Sequence, residues 1–300
     1  MSGHRSDVPV AGLLQLALSI IFLGSAWPIT KVAITAGAAP LWFATGRAGF
    51  SSAAALATLC VLRRLRLPRR ADLPALLSVG LLQLAGFFAF THAAVAWIPA
   101  GRTVILSNVT TIFVVPLSLL VLHEAIPPRR WLAAALGLAG AAVLIGPWAI
   151  DWSQRTVVIG HIFLLASAFC FALTMIIVRH SPPHLPMLEL LPWCFGLATL
   201  ALLPLALWEG GGIGTWSAPS LWSLVFIGGV AGPVGTWCVM QVAATLPAMV
   251  VSVGLLLTPA AGLALSTLWL GEAFGRDLQL GSVLILGGVA CAAWPQKRRP

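Results

Sequence analysis

The sequence predicts an all-α integral membrane protein in which ten transmembrane helices form two inverted five-helix repeats. Three observations predict this fold class: an apolar composition, ten apolar runs of helical length, and an internal repeat. Hydrophobic residues make up 59% of the 300-residue chain and charged residues only 8%, with a mean hydropathy of +0.99. Soluble domains carry about 25% charged residues. The composition therefore excludes a disordered chain, a nucleic-acid-binding domain and a secreted disulfide scaffold.

The apolar runs, bounded by proline, glycine and charged residues, are the predicted spans. Each is predicted as a helix because a membrane helix needs about 20 apolar residues and backbone groups in lipid must be hydrogen-bonded within the segment. The first run continues to Ile34 without a small-residue cleavage site, so it is interpreted as a span and not as a signal peptide. The first five spans are Leu13–Ile34, Leu41–Leu62, Leu73–Trp97, Thr103–Leu122 and Trp131–Pro147. The second five are Gly160–Arg179, Met187–Trp208, Ser220–Leu246, Ala248–Leu270 and Leu278–Trp294.

The basic residues predict the orientation of these spans. If the amino terminus is cytoplasmic, twelve Lys and Arg residues fall on the inner side and four on the outer side. Cytoplasmic loops carry an excess of Lys and Arg. The sequence therefore predicts that both termini are cytoplasmic.

An ungapped shift of 148 positions aligns the two halves of the chain. Chance explains matched Leu and Ala, but not coincident proline, acidic and basic pairs at one offset. An odd number of spans per half inserts the second copy upside down, which predicts an inverted repeat with residues 1–148 as the first copy and 149–300 as the second. Inverted repeats are typical of secondary transporters, whose substrate site lies between the halves. The aligned pairs include Pro99 with Pro247, Ala100 with Ala248, Glu124 with Glu272, and Lys31 with Arg179.

Polar and aromatic side chains near the middle of spans are the candidate substrate-binding residues, with helix packing as the alternative role of each. Gln83, Phe87 and Thr91 are expected on one face of span three by i, i+4 spacing, and His92 is interpreted as the only histidine inside a span. The glycine-rich run before Trp237 is expected to weaken span eight. The candidate binding residues are Trp27, Gln83, Phe87, Thr91, His92, Asn108, Thr111, Trp237 and Gln241, and the candidate hinges, which could equally be fixed bends, are Pro28, Pro233 and Pro259.

Charged residues restrict the substrate class. No Asp or Glu lies well within a predicted span, which disfavours proton-coupled export of organic cations through an embedded carboxylate. Lys31 and Arg47 lie in the outer parts of their spans, where snorkelling to the interface is the first interpretation and holding a substrate carboxylate the second. Glu124 and Glu272 are interpreted as structural, each in a turn beside basic residues. A neutral amphipathic solute fits these charges better than a cation or a phosphate ester.

Cysteine and cofactor chemistry add nothing to the predicted function. The five cysteines lie in apolar runs without metal-ligand spacing and are interpreted as small lipid- or core-facing residues. No cofactor, metal, nucleic acid or obligate protein partner is predicted. Lipid and a small-molecule substrate are the predicted partners.

Motifs in both halves resemble the EamA-type drug/metabolite transporter superfamily. They are Ser19, Gly24, Trp27 and Lys31 in span one, Leu122-His123-Glu124 closing span four, and Leu270-Gly271-Glu272 closing span nine. Within that superfamily the chain looks most like the YddG-type exporters of aromatic and other amino acids. The resemblance implies a central cavity lined chiefly by spans one, three, four, six, eight and nine.

The predicted function is export of amino acids and related aromatic metabolites across a bacterial-type inner membrane by alternating access, which can be facilitative. An exporter of drug-like aromatic cations is the alternative within transport. An intramembrane enzyme is disfavoured because the chain lacks paired carboxylates, HExxH and GxSxG motifs. A channel or scaffold is disfavoured by the repeat and by the helix breaks expected at mid-membrane.

Overall fold

The computed structural model describes residues 10–123, 128–145, 153–209, 212–245, 254–255 and 257–293. These residues are overwhelmingly helical, and β pairing among them is limited to one bridge between Ala38 and Gly214. They include six helices long and apolar enough to cross a membrane and two shorter apolar helices, Trp131–Val143 and Leu257–Leu270. The predicted all-α membrane class is confirmed, while the count of ten spans stays a prediction.

We number the helical segments α1 to α10 in chain order. The first half contains α1 (Val10–Thr35), α2 (Pro40–Val61), α3 (Arg70–Trp97), α4 (Ala100–Leu122) and α5 (Pro128–Ile145). The second half contains α6 (Arg155–His180), α7 (Met187–Trp208), α8 (Ala218–Leu224, Val225–Ala231 and Gly232–Thr245 in succession), α9 (Leu257–Leu270) and α10 (Arg276–Ala293). α6 begins at Arg155, earlier than the predicted Gly160, and residues 248–253 of the ninth predicted span lie outside the described ranges.

The two ends of the helix bundle are named after residues in their loops. The Pro99 end carries the α3–α4 turn, and the Arg64 end carries the α2–α3 loop. At the Pro99 end the Ser217 and Ser220 hydroxyls donate to the carbonyls of Ala36 (3.0 Å) and Ala33 (3.1 Å). Gly37 in the same turn has a φ of 105°, and a Cβ there would lie 2.1 Å from the Thr215 hydroxyl. Only glycine fits at position 37. This close approach and the two serine hydrogen bonds fasten the α1–α2 turn to the start of α8.

The helices of the two halves interlock. α1 packs mainly against α8 and α9, α2 against α7 and α8, α3 against α6 and α7, and α4 against α6 and α9, which closes a ring in the order α1, α8, α2, α7, α3, α6, α4, α9. α5 and α10 pair outside this ring. Gly140 and Gly288 allow that pair to approach closely, because a Cβ at either would lie 2.8 Å from a carbonyl oxygen of the other helix. These two glycines are 148 positions apart, so the same small residue serves both halves.

Two π-helical segments interrupt the ring, Ser78–Gly86 in α3 and Val225–Ala231 in α8. They occupy overlapping positions when the halves are aligned by the 148-residue offset. π-Helical turns are uncommon and are frequent at functional sites. In the α3 segment the Phe87 N–H donates to Leu82 O, and the shared face of Gln83, Phe87 and Thr91 stays a prediction.

Asp72 joins two loops at the Arg64 end. Its side chain is fully buried, and its carboxylate accepts hydrogen bonds from the backbone N–H groups of Arg69 (2.8 Å), His184 (2.7 Å) and Leu185 (3.0 Å). The α2–α3 loop and the α6–α7 loop are thereby held by one side chain. Glu189 adds an ion pair with Arg64 at 3.0 Å.

We expect Asp72→Asn to destabilise the protein. An amide supplies one acceptor oxygen in place of two, and a hydrogen bond to a charged group contributes about 1.5–3 kcal/mol, so the apparent Tm of a 300-residue chain should fall by about 2–5 °C in detergent micelles. The matched control is Glu209→Gln at an exposed helix end, which should leave Tm unchanged. Equal Tm values for the two variants would contradict this role of Asp72.

Candidate functional site

A cavity of about 350 Å³ lies between α2, α7 and α8, toward the Arg64 end. It contains two of the predicted site residues, Trp237 and Pro233. Its volume is in the range of small-molecule sites, about 300–1,000 Å³. Its wall is formed by Ser51, Ala55, Thr58, Leu59, Leu62, Leu188, Leu191, Phe195, Pro233, Val234, Thr236 and Trp237.

The contact between α2 and α8 closes this cavity toward the Pro99 end. A Cβ at Gly228 would lie 2.7 Å from the Phe50 Cβ, and the Ser51 hydroxyl donates to Gly228 O at 3.0 Å. Gly228 lies in the π-helical segment of α8, and Pro233 is the second residue after that segment. The glycine-rich run therefore lets α8 contact α2 at Gly228. Toward the Arg64 end from that contact, the two helices are separated by the cavity.

The wall of the cavity is mostly apolar. The Thr58 hydroxyl donates to Ala54 O within its own helix (2.8 Å), and the Ser51 hydroxyl is engaged by Gly228. Trp237 is 40% exposed and supplies a large aromatic surface. Gln241 follows one turn later on α8 and is half-buried. Such a wall suits the apolar part of a solute.

Three half-buried aromatic rings meet where α1, α3 and α6 converge. The centroid of Phe87 lies 5.9 Å from that of Trp27 and 5.7 Å from that of Phe171, both in edge-to-face geometry. Pro28 lies within α1 next to Trp27. Gln83 of α3 is half-buried, and its amide makes no hydrogen bond to any residue that the structure describes.

The remaining predicted residues are held mainly by their own helices. The Thr91 hydroxyl donates to Phe87 O at 2.6 Å, and the Asn108 amide donates to Val104 O at 2.7 Å. Asn108 ends the first part of α4, which resumes at Thr111; the Thr111 side chain lies outside the described set. Pro259 is the third residue of α9 as described, not its centre. The structure thus places Trp237 and Pro233 in one cavity and Trp27 and Phe87 in one aromatic cluster, and it does not gather the predicted residues into a single pocket.

His92 is fully buried, and its Nδ1 lies 2.8 Å from Phe88 O. The interpretation of His92 as the only histidine within a span is wrong. His161 lies in α6, is buried, and has its Nδ1 2.8 Å from Val157 O. Both rings leave Nε2 buried without a partner among the described residues.

Charged side chains cap the broken ends of α3 and α4 at the Pro99 end. The Lys31 ammonium donates to the carbonyls of Val95 (2.5 Å) and Ile98 (3.3 Å) at the end of α3. The Glu272 carboxylate accepts the N–H groups of Ala100 (2.6 Å) and Gly101 (2.8 Å) at the start of α4. Each charge faces the helix terminus of opposite partial charge. We call Lys31, Glu272 and the Ile98–Gly101 turn the Pro99-end cap.

The cap shows what the residue pattern missed. Lys31 bonds the end of α3 instead of snorkelling freely, and Glu272, interpreted as structural, bonds the start of α4. Arg102 and Asp277 form an ion pair beside the cap. The sequence feature that could have identified these cap residues is the 148-position offset, which pairs Lys31 with Arg179 and Glu272 with Glu124. No group of three or more metal-ligating side chains occurs in the described residues.

Comparison with known proteins shows what the chain resembles. Residues 10–146 and 158–294 each match the profile described as the EamA-like transporter family. The chain is 26% identical over 242 residues to "Uncharacterized transporter YdfC" of Bacillus subtilis, covering 78% of this chain and 76% of that protein. It is 24% identical over 281 residues to "Probable terminal-alkyne amino-acid exporter" of Streptantibioticus cattleyicolor, covering 91% and 90% of the two chains. A protein of known crystal structure has the same fold, with a TM-score of 0.62 and 20% identity over 94% of this chain and 96% of that one.

Proposed function

The chain belongs to the EamA-like transporter family, and from this premise we propose that it exports neutral amino acids, aromatic ones among them, and related metabolites. It is a multi-pass membrane transporter and not an enzyme. In the proposal it has ten spans, resides in a bacterial inner membrane, and keeps both termini and the Arg64 end in the cytoplasm. The two inverted halves, 1–148 and 149–300, alternate access to the solute, with the prolines at 28, 233 and 259 as candidate hinges.

The observation that carries this proposal is the apolar cavity beside Trp237. At about 350 Å³ it accommodates the side chain of a large neutral amino acid. It lies toward the Arg64 end, from which an exporter would load its solute. The aromatic cluster of Trp27, Phe87 and Phe171 is a second apolar surface between the halves.

The positions of the acidic residues support a solute without net positive charge. In the described parts of the chain the acidic residues are Asp72, Glu189, Glu209, Glu272 and Asp277, and all lie at or near helix ends. Four of these accept hydrogen bonds or form ion pairs with the protein itself. Among these residues, a cation would therefore meet no acidic side chain away from the helix ends. The name of the Streptantibioticus relative, a probable exporter of an amino acid, agrees with this solute class.

Flux measurements in proteoliposomes test the proposal. We expect saturable transport of labelled Phe, Met and Thr, with counterflow, and the same rate with or without a proton gradient. A labelled quaternary aromatic cation should not be transported. Flux of the cation alone would replace the proposal with the drug-exporter alternative, and flux only under a proton gradient would contradict the facilitative mode.

A further inference from the structure

Arg47 is a cation inside the helix bundle. It lies seven residues after Pro40 in α2, or about 10 Å along the helix at a rise of about 1.5 Å per residue. Its helical neighbours Ala44 and Ala48 are fully buried. Its backbone carbonyl lies 3.1 Å from the ideal Cβ position of Gly228 in α8. The guanidinium lies 4.4 Å from the Phe88 ring centroid of α3. The backbone of Arg47 therefore packs against α8, and its side chain extends from α2 onto α3.

The charge of Arg47 has no counter-ion in the described structure. Arg47 forms neither an ion pair nor a hydrogen bond with any described residue, and its contact with Phe88 is a cation–π interaction. A charge inside a helix bundle costs free energy unless it is paired, so such residues commonly mark a substrate pathway. Arg47 is half-buried, and none of its five N–H donors is taken up by an acceptor among the described residues.

A buried acceptor lies on the same aromatic ring. The His92 ring centroid is 5.5 Å from that of Phe88 and 5.9 Å from that of Phe43. Since Nδ1 faces the carbonyl of Phe88 at 2.8 Å, Nδ1 carries the hydrogen of a neutral imidazole and Nε2 is an acceptor. That Nε2 is buried and has no partner among the described residues. Phe88 thus has a cationic donor and an unpartnered acceptor beside it.

Arg47 also lies next to the cavity described above. Ser51, which begins the cavity wall, follows Arg47 by four residues in α2 and therefore shares its helix face. The side chain of Arg47 is one turn nearer the Pro99 end. A solute whose apolar part occupies the cavity therefore has Arg47 one helical turn away, on the side of the Pro99 end.

We propose that Arg47 and His92 bind the charged head group of an α-amino acid, with the guanidinium on the carboxylate and Nε2 accepting from the ammonium. This assignment rests on the proposed function and narrows its substrate class to zwitterions. Arg47 replaces the water that the carboxylate loses on entering the bundle, and the solute provides the missing counter-ion. A quaternary cation has no carboxylate for Arg47 and is repelled by it.

Binding of three congeners to purified protein in nanodiscs tests the assignment. They are phenylalanine, phenylalaninamide, which lacks the carboxylate, and phenylpropionate, which lacks the ammonium. We expect Arg47→Gln to erase the preference for phenylalanine over the amide, an affinity loss of about 30-fold or more for carboxylates, as for truncation of a buried charge pair. We expect His92→Phe to erase the preference for phenylalanine over phenylpropionate. Arg47→Lys should retain part of the carboxylate preference, because it keeps the charge without the bidentate fork.

The matched control is Arg155→Gln, which removes the same charge at an exposed helix start and should change no affinity. Phe88→Leu separates binding from packing, because it removes the cation–π contact and leaves the Arg47 and His92 side chains in place. It should lower the affinity for all three ligands by the same factor. If Arg47→Gln also weakens all three equally, Arg47 only joins α2 to α3 and the assignment is overturned. If Arg47→Gln still transports amino acids and keeps the wild-type ligand preferences, the assignment is overturned and the proposed function stands. Arg47-dependent carboxylate binding without amino-acid flux would overturn only the proposed function.

Discussion

Ala55→Trp should reduce amino-acid flux in proteoliposomes to below about a tenth of the wild-type rate. Ala55 lies on the cavity wall formed by α2, and an indole there occupies much of a space of about 350 Å³. A solute that must displace the ring loses more than about 1.4 kcal/mol of binding free energy, which corresponds to a tenfold weaker affinity. The measurement is the initial rate of labelled phenylalanine flux over a range of concentrations.

The control for this variant is Ala57→Trp. Position 57 is exposed and lies on the same helix, two residues further along the chain, so the added ring meets the surroundings of the bundle and not the cavity. Both variants should keep the wild-type Tm and elute as a single species in detergent. Wild-type flux in Ala55→Trp would show that the solute does not use this cavity, whereas loss of flux in both variants would indicate a general effect of the bulky ring.

The helices are the part of the fold that the sequence predicts well. A run of about 20 apolar residues in lipid must form a helix, because its backbone groups have to be hydrogen-bonded within the segment. Proline and charged residues mark the ends of these runs. α7, predicted and observed at Met187–Trp208, is the clearest case.

The π-helical segments are different. Gly228 and Pro233 signal a weak helix in α8, but nothing in Ser78–Gly86 predicts the π-helical hydrogen bonds of that segment.

Side-chain partners distant in the chain were not predictable. Arg47 reads as a residue near the end of a span, and only the packing of α2 on α3 places it over Phe88. Glu272 reads as a partner for nearby Arg276, yet it bonds N–H groups more than 170 positions earlier. Local spacing reveals neither contact, because each depends on how the two halves interlock. The candidate residues at Trp237 and Phe87 stay predictions whose test is the transport of their variants.

The Pro99-end cap holds together elements from both halves of the chain. The turn at Pro99 ends α3 and starts α4, so it leaves carbonyls on one side and N–H groups on the other without intrahelical partners. Lys31 of α1 satisfies the first set, and Glu272 of the α9–α10 loop satisfies the second. Movement of α1 or α9 away from this turn must break these bonds. In the proposed alternating access, the intact cap therefore belongs to a state closed at the Pro99 end.

Glu272→Gln should open this end and destabilise the start of α4. The amide keeps one acceptor oxygen and turns its NH₂ group toward a second backbone donor, so the cap loses about 1.5–3 kcal/mol. A loss of 1.4 kcal/mol shifts a two-state equilibrium tenfold, so amide hydrogen exchange at Ala100 and Gly101 should accelerate about tenfold or more. The same shift lowers the population loaded from the Arg64 end, so the half-saturating phenylalanine concentration in flux assays should rise, by at most the same factor. Glu209→Gln, an identical change at an exposed position, should alter neither quantity. If amide exchange accelerates while the half-saturating concentration stays unchanged, the cap only stabilises the fold. A bond that breaks during transport must affect both quantities.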